Sequence, residues 1–264
     1  MEGAVHSTRP AAPLGSQAIE RALGVLDCFM ASDAELGITE IARRLQLSPS
    51  TVHRIVRALL SAGYLDQNPS TDQYYLGRSA VLLGQFAQRA MGMDRVLPVL
   101  EEVAERTGES VNFGIREDGS AIVALRVETR HALRFEQQVG TRVPLYCSAL
   151  GKALLAFGAD PAADVRALGR LERFTQYTIT GKAPLERELR DTRERGYSLD
   201  EQENLLGVRC IGAPVLEPGG HARAAVAVQI PSVRMPRDDL PGLAPVVTGA
   251  AARIADLLHT DRAL

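Results

Sequence analysis

The stretch "LSPSTVHRIVRALLSAGYL", residues 47–65, leaves little freedom for what can fold around it. Ser48 is a natural N-cap, and Pro49 follows at the first helical position, where a missing N–H costs nothing. Val52, Ile55, Val56, Leu59 and Leu60 then recur at i, i+3, i+4, i+7 and i+8, which makes one inward stripe. Gly63 stops the helix. Once the stripe faces a core, Ser50, Thr51, His53, Arg54 and Arg57 must project the other way. From Ile41 to Leu60 the chain carries Arg43, Arg44, Arg54 and Arg57 and no carboxylate.

The neighbouring segments say what the helix belongs to. "QAIERALGVLDCFMA", residues 17–31, places Ile19, Ala22, Leu23, Leu26, Phe29 and Met30 at helical spacing. "GITEIARRL" follows, with Thr39 as the expected N-cap and Ile41, Ala42 and Leu45 as a short inward face. "QLS" is a tight connection into the Ser48 helix. Beyond Gly63, "YLDQNPSTDQYYLG" reads as two short strands around an "NPSTD" turn. Three short helices and a hairpin in this order predict a winged helix-turn-helix over residues 16–78. Such a helix enters the major groove of double-stranded DNA with its N-terminal part against the base edges. Hydroxyls suit phosphates or base edges, and arginine can grip guanine or neutralise phosphate. The expected DNA-contacting residues are Thr39, Ser48, Ser50, Thr51, His53, Arg54, Arg57 and, on the wing, Gln73. Any solvated amphipathic helix shows a similar charged face, so it is the order of the elements that decides.

Bulk properties narrow the class. The net charge of −2 excludes binding to nucleic acid by overall charge but allows a local basic patch. The sequence has no apolar run of the roughly 18 residues that a membrane span needs. The opening "MEGAVHSTRPAAPLGSQ" has no apolar core of a secretory signal, and residues 1–15 read as a flexible tail. Cys28, Cys147 and Cys210 lie far apart, with no CxxC pair, which points to a reducing cytoplasm rather than a zinc site or a disulfide framework.

The second half has a different rhythm. "RSAVLLGQFAQRAM" predicts a helix linking two domains over residues 79–93. "DRVLPVLEEVAERTG" predicts another, capped by Asp94 and ended by Gly108. "SVNFGIREDGSAIVALRVE" is two strands around an "EDGS" turn. "ALRFEQQVGTRVPLY" is expected to be a further strand region, followed by helices at "SALGKALLAFG", "PAADVRALGRL" and "APLERELRDTRERG". Two strands around "EPGGH" and a long helix from "LAPVV" onward complete it. The mixture implies an α+β domain with an antiparallel sheet over residues 94–264. No catalytic set, metal site or cofactor motif emerges. "GK" at Gly151–Lys152 lacks the glycine-rich pattern of a phosphate loop. Cys147 has no histidine near it in sequence. His131, His221 and His259 are isolated and expected at the surface. Asp200, Glu201 and Glu203 read as a solvated loop as readily as a metal site.

From about Ser16 to its end the chain resembles the IclR-type bacterial transcriptional regulators. The motifs that carry the resemblance are "GYLDQNPSTDQYYLG", "SALGKALLAF" and "RERGYSLDEQENLLGVRCIGAPV". It implies a winged-helix domain, a linker helix and a GAF-like effector-binding domain. It also implies a cytoplasmic homodimer or homotetramer on a palindromic operator, controlled by a small organic acid. In similar proteins that bind keto acids, the ligand carboxylate meets backbone N–H groups where the "SALGKA" helix begins, here those of Ala149 and Leu150. Asp200 and Cys210 match polar pocket positions, and Val143, Leu145 and Val208 an apolar wall. Ala227 and Gln229 stand where keto-acid binders carry two serines on the last strand. That points away from glyoxylate or pyruvate and toward a larger or differently polar acid, aromatic or hydroxylated. The competing reading is an enzyme that acts on a small carboxylic acid and retains a helix-turn-helix.

Overall fold

The computed structural model describes residues 16–30 and 35–259, so the expected tail at 1–15 lies outside the described residues. The chain divides into two compact units, residues 1–90 and 91–264.

The first unit begins with α1 (Gln17–Met30), α2 (Ile38–Leu45) and α3 (Pro49–Ser61). β1 (Leu65–Gln67) and β2 (Tyr74–Leu76) then pair antiparallel, Leu65 opposite Leu76, and α4 (Arg78–Ala90) follows. Val25, Phe29, Ile41, Val52, Val56 and Leu65 form its core, so the stripe read from the sequence is the buried one. Ser48 caps α3, its Oγ accepting from the Thr51 N–H at 3.3 Å. Gly63 ends the helix with φ +73°. The expected cap at Thr39 is wrong. α2 starts one residue before it, with Gly37 as N-cap and no side-chain cap bond, and Thr39 is exposed in the first turn. Leu36 makes an antiparallel bridge to Tyr74, and that extended entry carries the chain into the helix early.

The second unit is built on a six-stranded antiparallel sheet of order β5-β4-β3-β8-β7-β6. Its strands are β3 (Ser110–Glu117), β4 (Ser120–Val127), β5 (Arg142–Pro144), β6 (Ser198–Glu201), β7 (Val208–Leu216) and β8 (Ala222–Pro231). α5 (Met93–Thr107) and α9 (Ala244–His259) share a core with one face of the sheet. α6 (Ala149–Ala156) and α8 (Lys182–Arg195) cover the other, with α7 (Pro161–Ala167) packed on α8. The two-residue alternation of β8 explains the layering. Ala224, Val226, Val228 and Ile230 join the α5/α9 core, whereas Ala225 and Ala227 point to α6. Small residues on that face let α6 settle onto the sheet.

Two further expectations change. α5 is capped by Gly92, and Asp94 sits inside its first turn, where a carboxylate still suits the positive end of the helix. The "ALRFEQQVGTRVPLY" segment contributes only the three residues of β5. Residues 128–141 are irregular, and side chains hold two of their carbonyls: Arg126 donates to that of Phe135 at 2.6 Å and Arg234 to that of Leu133 at 2.7 Å.

Candidate functional site

Two sites are available, one in each unit. On α3 the residues facing away from the core are Ser50, His53, Arg54 and Arg57, all exposed, with Thr51 half-buried. The Ser48 hydroxyl lies 2.8 Å from Thr51 Oγ1 and 3.1 Å from Ser50 Oγ, so the cap also orders the hydroxyls at the start of the helix. The arginines sort into two kinds. Arg43 and Arg44 both reach Glu40, at 2.6 and 2.7 Å, and the two guanidiniums hold its carboxyl down at about 2. Arg54 and Arg57 make no ion pair among the described residues, so their charge is available to a phosphate or a base edge. The hairpin is fixed as well: Asn68 Nδ2 and Thr71 Oγ1 donate to the Glu35 carboxylate at 2.7 and 2.8 Å, leaving Gln73 exposed beside the turn.

The second site is a cavity of about 230 Å³ between α6 and the sheet. Val143, Ala149, Leu150, Asp200, Val208, Cys210, Ala227 and Gln229 all line it. Leu145, expected in its wall, does not: it is buried beneath α6, and a Cβ on Gly151 would come within 2.5 Å of its carbonyl oxygen. Gly212 allows a similar approach, since a Cβ there would lie 3.0 Å from the Ala149 carbonyl oxygen. These contacts press the start of α6 into the cavity wall. Ser148 caps the helix by accepting from the Gly151 N–H at 3.0 Å, and its carbonyl accepts from the Lys152 N–H. The Ala149 and Leu150 N–H groups make no hydrogen bond among the described residues, which leaves two donors at the positive end of a helix.

Asp200, which lines the cavity, belongs to a buried charge network that the sequence did not suggest. Asp200, expected at a pocket position, is buried, and so are Glu203, for which a solvated loop and a metal site were both open, and Lys152. Lys152 Nζ lies 2.5 Å from Glu203 and 3.4 Å from Glu188, which also meets Arg195 at 2.7 Å. Burial alone would discharge Lys152, but the two carboxylates outweigh it and hold the ammonium charged. Asp200 Oδ1 accepts from the Glu203 N–H at 2.8 Å, while burial and then the Glu203 charge raise its carboxyl to about 7. Burial, then Asp200, pushes both Cys147 and Cys210 up, which favours the protonated thiol.

Sequence reasoning missed Asn112, Gln137 and Lys152. Asn112 and Gln137 line the cavity. A lysine in the middle of an apolar helix was the one available signal, since such a residue needs buried partners. Among the described residues, no cluster of three or more His, Cys, Asp or Glu could hold a metal, and no helix is long and apolar enough to cross a membrane.

A winged helix-turn-helix with two unengaged arginines, followed by a sheet domain enclosing a small cavity, is the build of a DNA-binding transcriptional regulator. Residues 18–69 match the IclR helix-turn-helix domain and residues 88–256 the bacterial transcriptional regulator IclR C-terminal domain. The chain belongs to the IclR family of bacterial transcriptional regulators. It is 38% identical over 244 residues to the HTH-type transcriptional regulator BhcR of Paracoccus denitrificans, covering 91% of this chain and 87% of that one. The Thermotoga maritima IclR structure superposes with a TM-score of 0.75 at 25% identity, over 92% of this chain and 99% of that one. An IclR homologue from Microbacterium hydrocarbonoxydans, solved with 4-hydroxybenzoate, shares the fold. Its TM-score is 0.75 at 22% identity, over 92% and 98% of the two chains.

Proposed function

We propose that the protein is an effector-controlled regulator: a small organic acid, hydroxylated or aromatic, binds the α6 cavity and changes the affinity for a two-fold symmetric DNA site. The observation that carries this is the pair of unengaged N–H groups at Ala149 and Leu150. They open into a cavity of about 230 Å³, a setting that accepts a carboxylate without a basic side chain. The homologue bound to 4-hydroxybenzoate supports an acid of this kind. Ala227 and Gln229 in the lining favour an acid other than glyoxylate or pyruvate.

In this reading Ser50, His53, Arg54 and Arg57 face the major groove, with Thr39, Ser48, Thr51 and Gln73 as flanking contacts. The protein works as a homodimer or homotetramer in the cytoplasm. Exposed Val81, Leu82, Leu83 and Phe86 on α4 support self-association, since one helix rarely leaves four such side chains in water. In this reading the protein acts as a regulator and not as an enzyme, which its match to the two regulator domains supports.

A thermal-shift screen of small carboxylic acids, with Asp200→Ala as control, tests the cavity. A ligand at 100 times its dissociation constant stabilises the native state by about 2.7 kcal/mol. Gel-shift titration with the best hit tests the control of DNA binding, where about 5- to 150-fold is the usual range of coupling. Equal DNA affinity with and without saturating acid would sink the reading.

A further inference from the structure

Arg126 of β4 is a buried guanidinium, its side chain 4% exposed. Its Nη1 donates to Asn112 Oδ1 at 2.8 Å and to Gln229 Oε1 at 3.0 Å, and its Nη2 to the Phe135 carbonyl. Half-exposed Glu128 stands 3.6 Å from Nε, an ion-pair distance, but Nε has no hydrogen-bond partner. A guanidinium has donors only, so it dictates which way its amide neighbours turn. Both amide oxygens face Arg126, and both amide nitrogens therefore face away. Asn112 Nδ2 and Gln229 Nε2 converge on Gln137 Oε1 at 3.4 and 3.3 Å. Gln137 is thereby turned too, with its own NH₂ group directed onward.

Asn112, Gln137 and Gln229 all line the cavity. One end of it is thus a wall of N–H donors ordered by a buried positive charge. Strand register puts this wall away from Asp200. Gln229 pairs with Cys210 and Cys210 with Asp200, so two strand spacings, roughly 10 Å, separate the donor end from the carboxyl end. A hydrocarbon end placed against the wall would leave its donors without a partner, and an ammonium would meet both donors and a like charge.

We propose that this corner is a second acceptor-binding subsite, so that the effector is a short acid bearing a second oxygen acceptor, best a second carboxylate, with Arg126 as the positioning residue that enforces the choice. The inference rests on the effector reading above and narrows it.

The test uses the full chain and acids of four to six carbons differing only at the far end. For four carbons these are butyrate, 4-hydroxybutyrate, 4-aminobutyrate and succinate, followed by titration calorimetry. Succinate or its longer homologues should bind at least tenfold tighter than the methyl-ended acids. The hydroxyl-ended acids should fall between, and the ammonium-ended ones below detection. Gln137→Ala, at the half-buried rim, and Arg126→Met should both collapse that ratio toward one; a role in stability alone would weaken every acid equally. Should Arg126→Met not fold, the wild-type series and Gln137→Ala decide. Methyl- and carboxylate-ended acids binding alike overturn this inference and leave the effector reading standing, as does an unchanged ratio in the variants. Binding by none of these acids overturns this inference, and the thermal-shift screen with aromatic acids then decides the effector reading.

Discussion

The two units present opposite solutions to recognition. The surface proposed to face DNA is local and exposed: Ser50, His53, Arg54 and Arg57 come from about two turns of α3, and a short stretch of sequence is enough to orient them. The cavity is assembled from β3, β5, β6, β7, β8, α6 and an irregular segment; of its charged lining residues Asp200 is buried, against the buried Lys152–Glu203 pair, while Glu136 and Arg142 are exposed. An exposed surface can lose a side chain and keep its fold. A buried charge network cannot, because a removed partner leaves an uncompensated ion.

That contrast fixes the order of the expected effects. Lys152→Met should be the most damaging single change, since it strands Glu203 and leaves Asp200 beside an unneutralised carboxylate. Denaturant unfolding should show a loss of about 3–5 kcal/mol confined to the second unit. A loss below 1 kcal/mol would show that the network is not a charged pair. In the first unit, Arg54→Ala or Arg57→Ala should cost about 1–3 kcal/mol of DNA affinity with the melting temperature unchanged. If Arg54 reads a base, specificity relaxes at one position; if it meets phosphate, affinity falls on all sequences and the salt slope shrinks. Unchanged binding in both variants means that α3 is not the reading surface.

Ser48→Ala crosses the divide, because the capping residue is structural although it lies on the DNA face. It should lower the stability of the first unit by about 1 kcal/mol, read by amide exchange in α3. A further effect concerns pH. The Asp200 carboxyl is raised from its ordinary 3.8 to about 7 by burial and by Glu203, with Lys152 opposing and the Cys147 and Cys210 thiols nearby. Between those values the folded chain holds a proton that the unfolded chain has lost, so this group makes stability fall as pH rises through the window and level off above about 7. Asp200→Asn removes the slope, so its stability relative to wild type should climb from pH 4 to pH 7. Parallel curves would mean that Asp200 is ionised throughout.

The same contrast explains what the sequence could reveal. The first unit was legible because capping, helical stripes and the wing turn act over a few residues. One error there, Thr39 as a cap, arose where a long-range bridge from Leu36 to Tyr74 overrode a local preference; another lies on α1, where Ile19, Leu23 and Met30 of the expected set are exposed and Val25 and Cys28 are buried instead. In the second unit the strands around "EDGS" and "EPGGH" were readable for the same local reason. The cavity was not. Leu145 alternates like a wall residue, but the closeness of Gly151 pulls it under α6. Arg126, Asn112 and Gln229 meet only because β3 is flanked by β4 on one side and β8 on the other. No spacing along the chain encodes that neighbourhood. Most of the cavity residues that were expected came from family resemblance rather than from periodicity.

The strand order also has a consequence in time. Asn112 pairs with Ala227 at the centre of the sheet, and Ala227 and Gln229 supply part of the cavity lining. The lining is therefore incomplete until the ribosome has made β8, whereas every residue of the winged helix is present long before. Synthesis runs at roughly 5–20 residues per second, so the lag is on the order of ten seconds. Each new copy therefore has its whole winged helix before it has a complete cavity lining. On the proposed reading, an acid in the cell finds no complete cavity until β8 has been made.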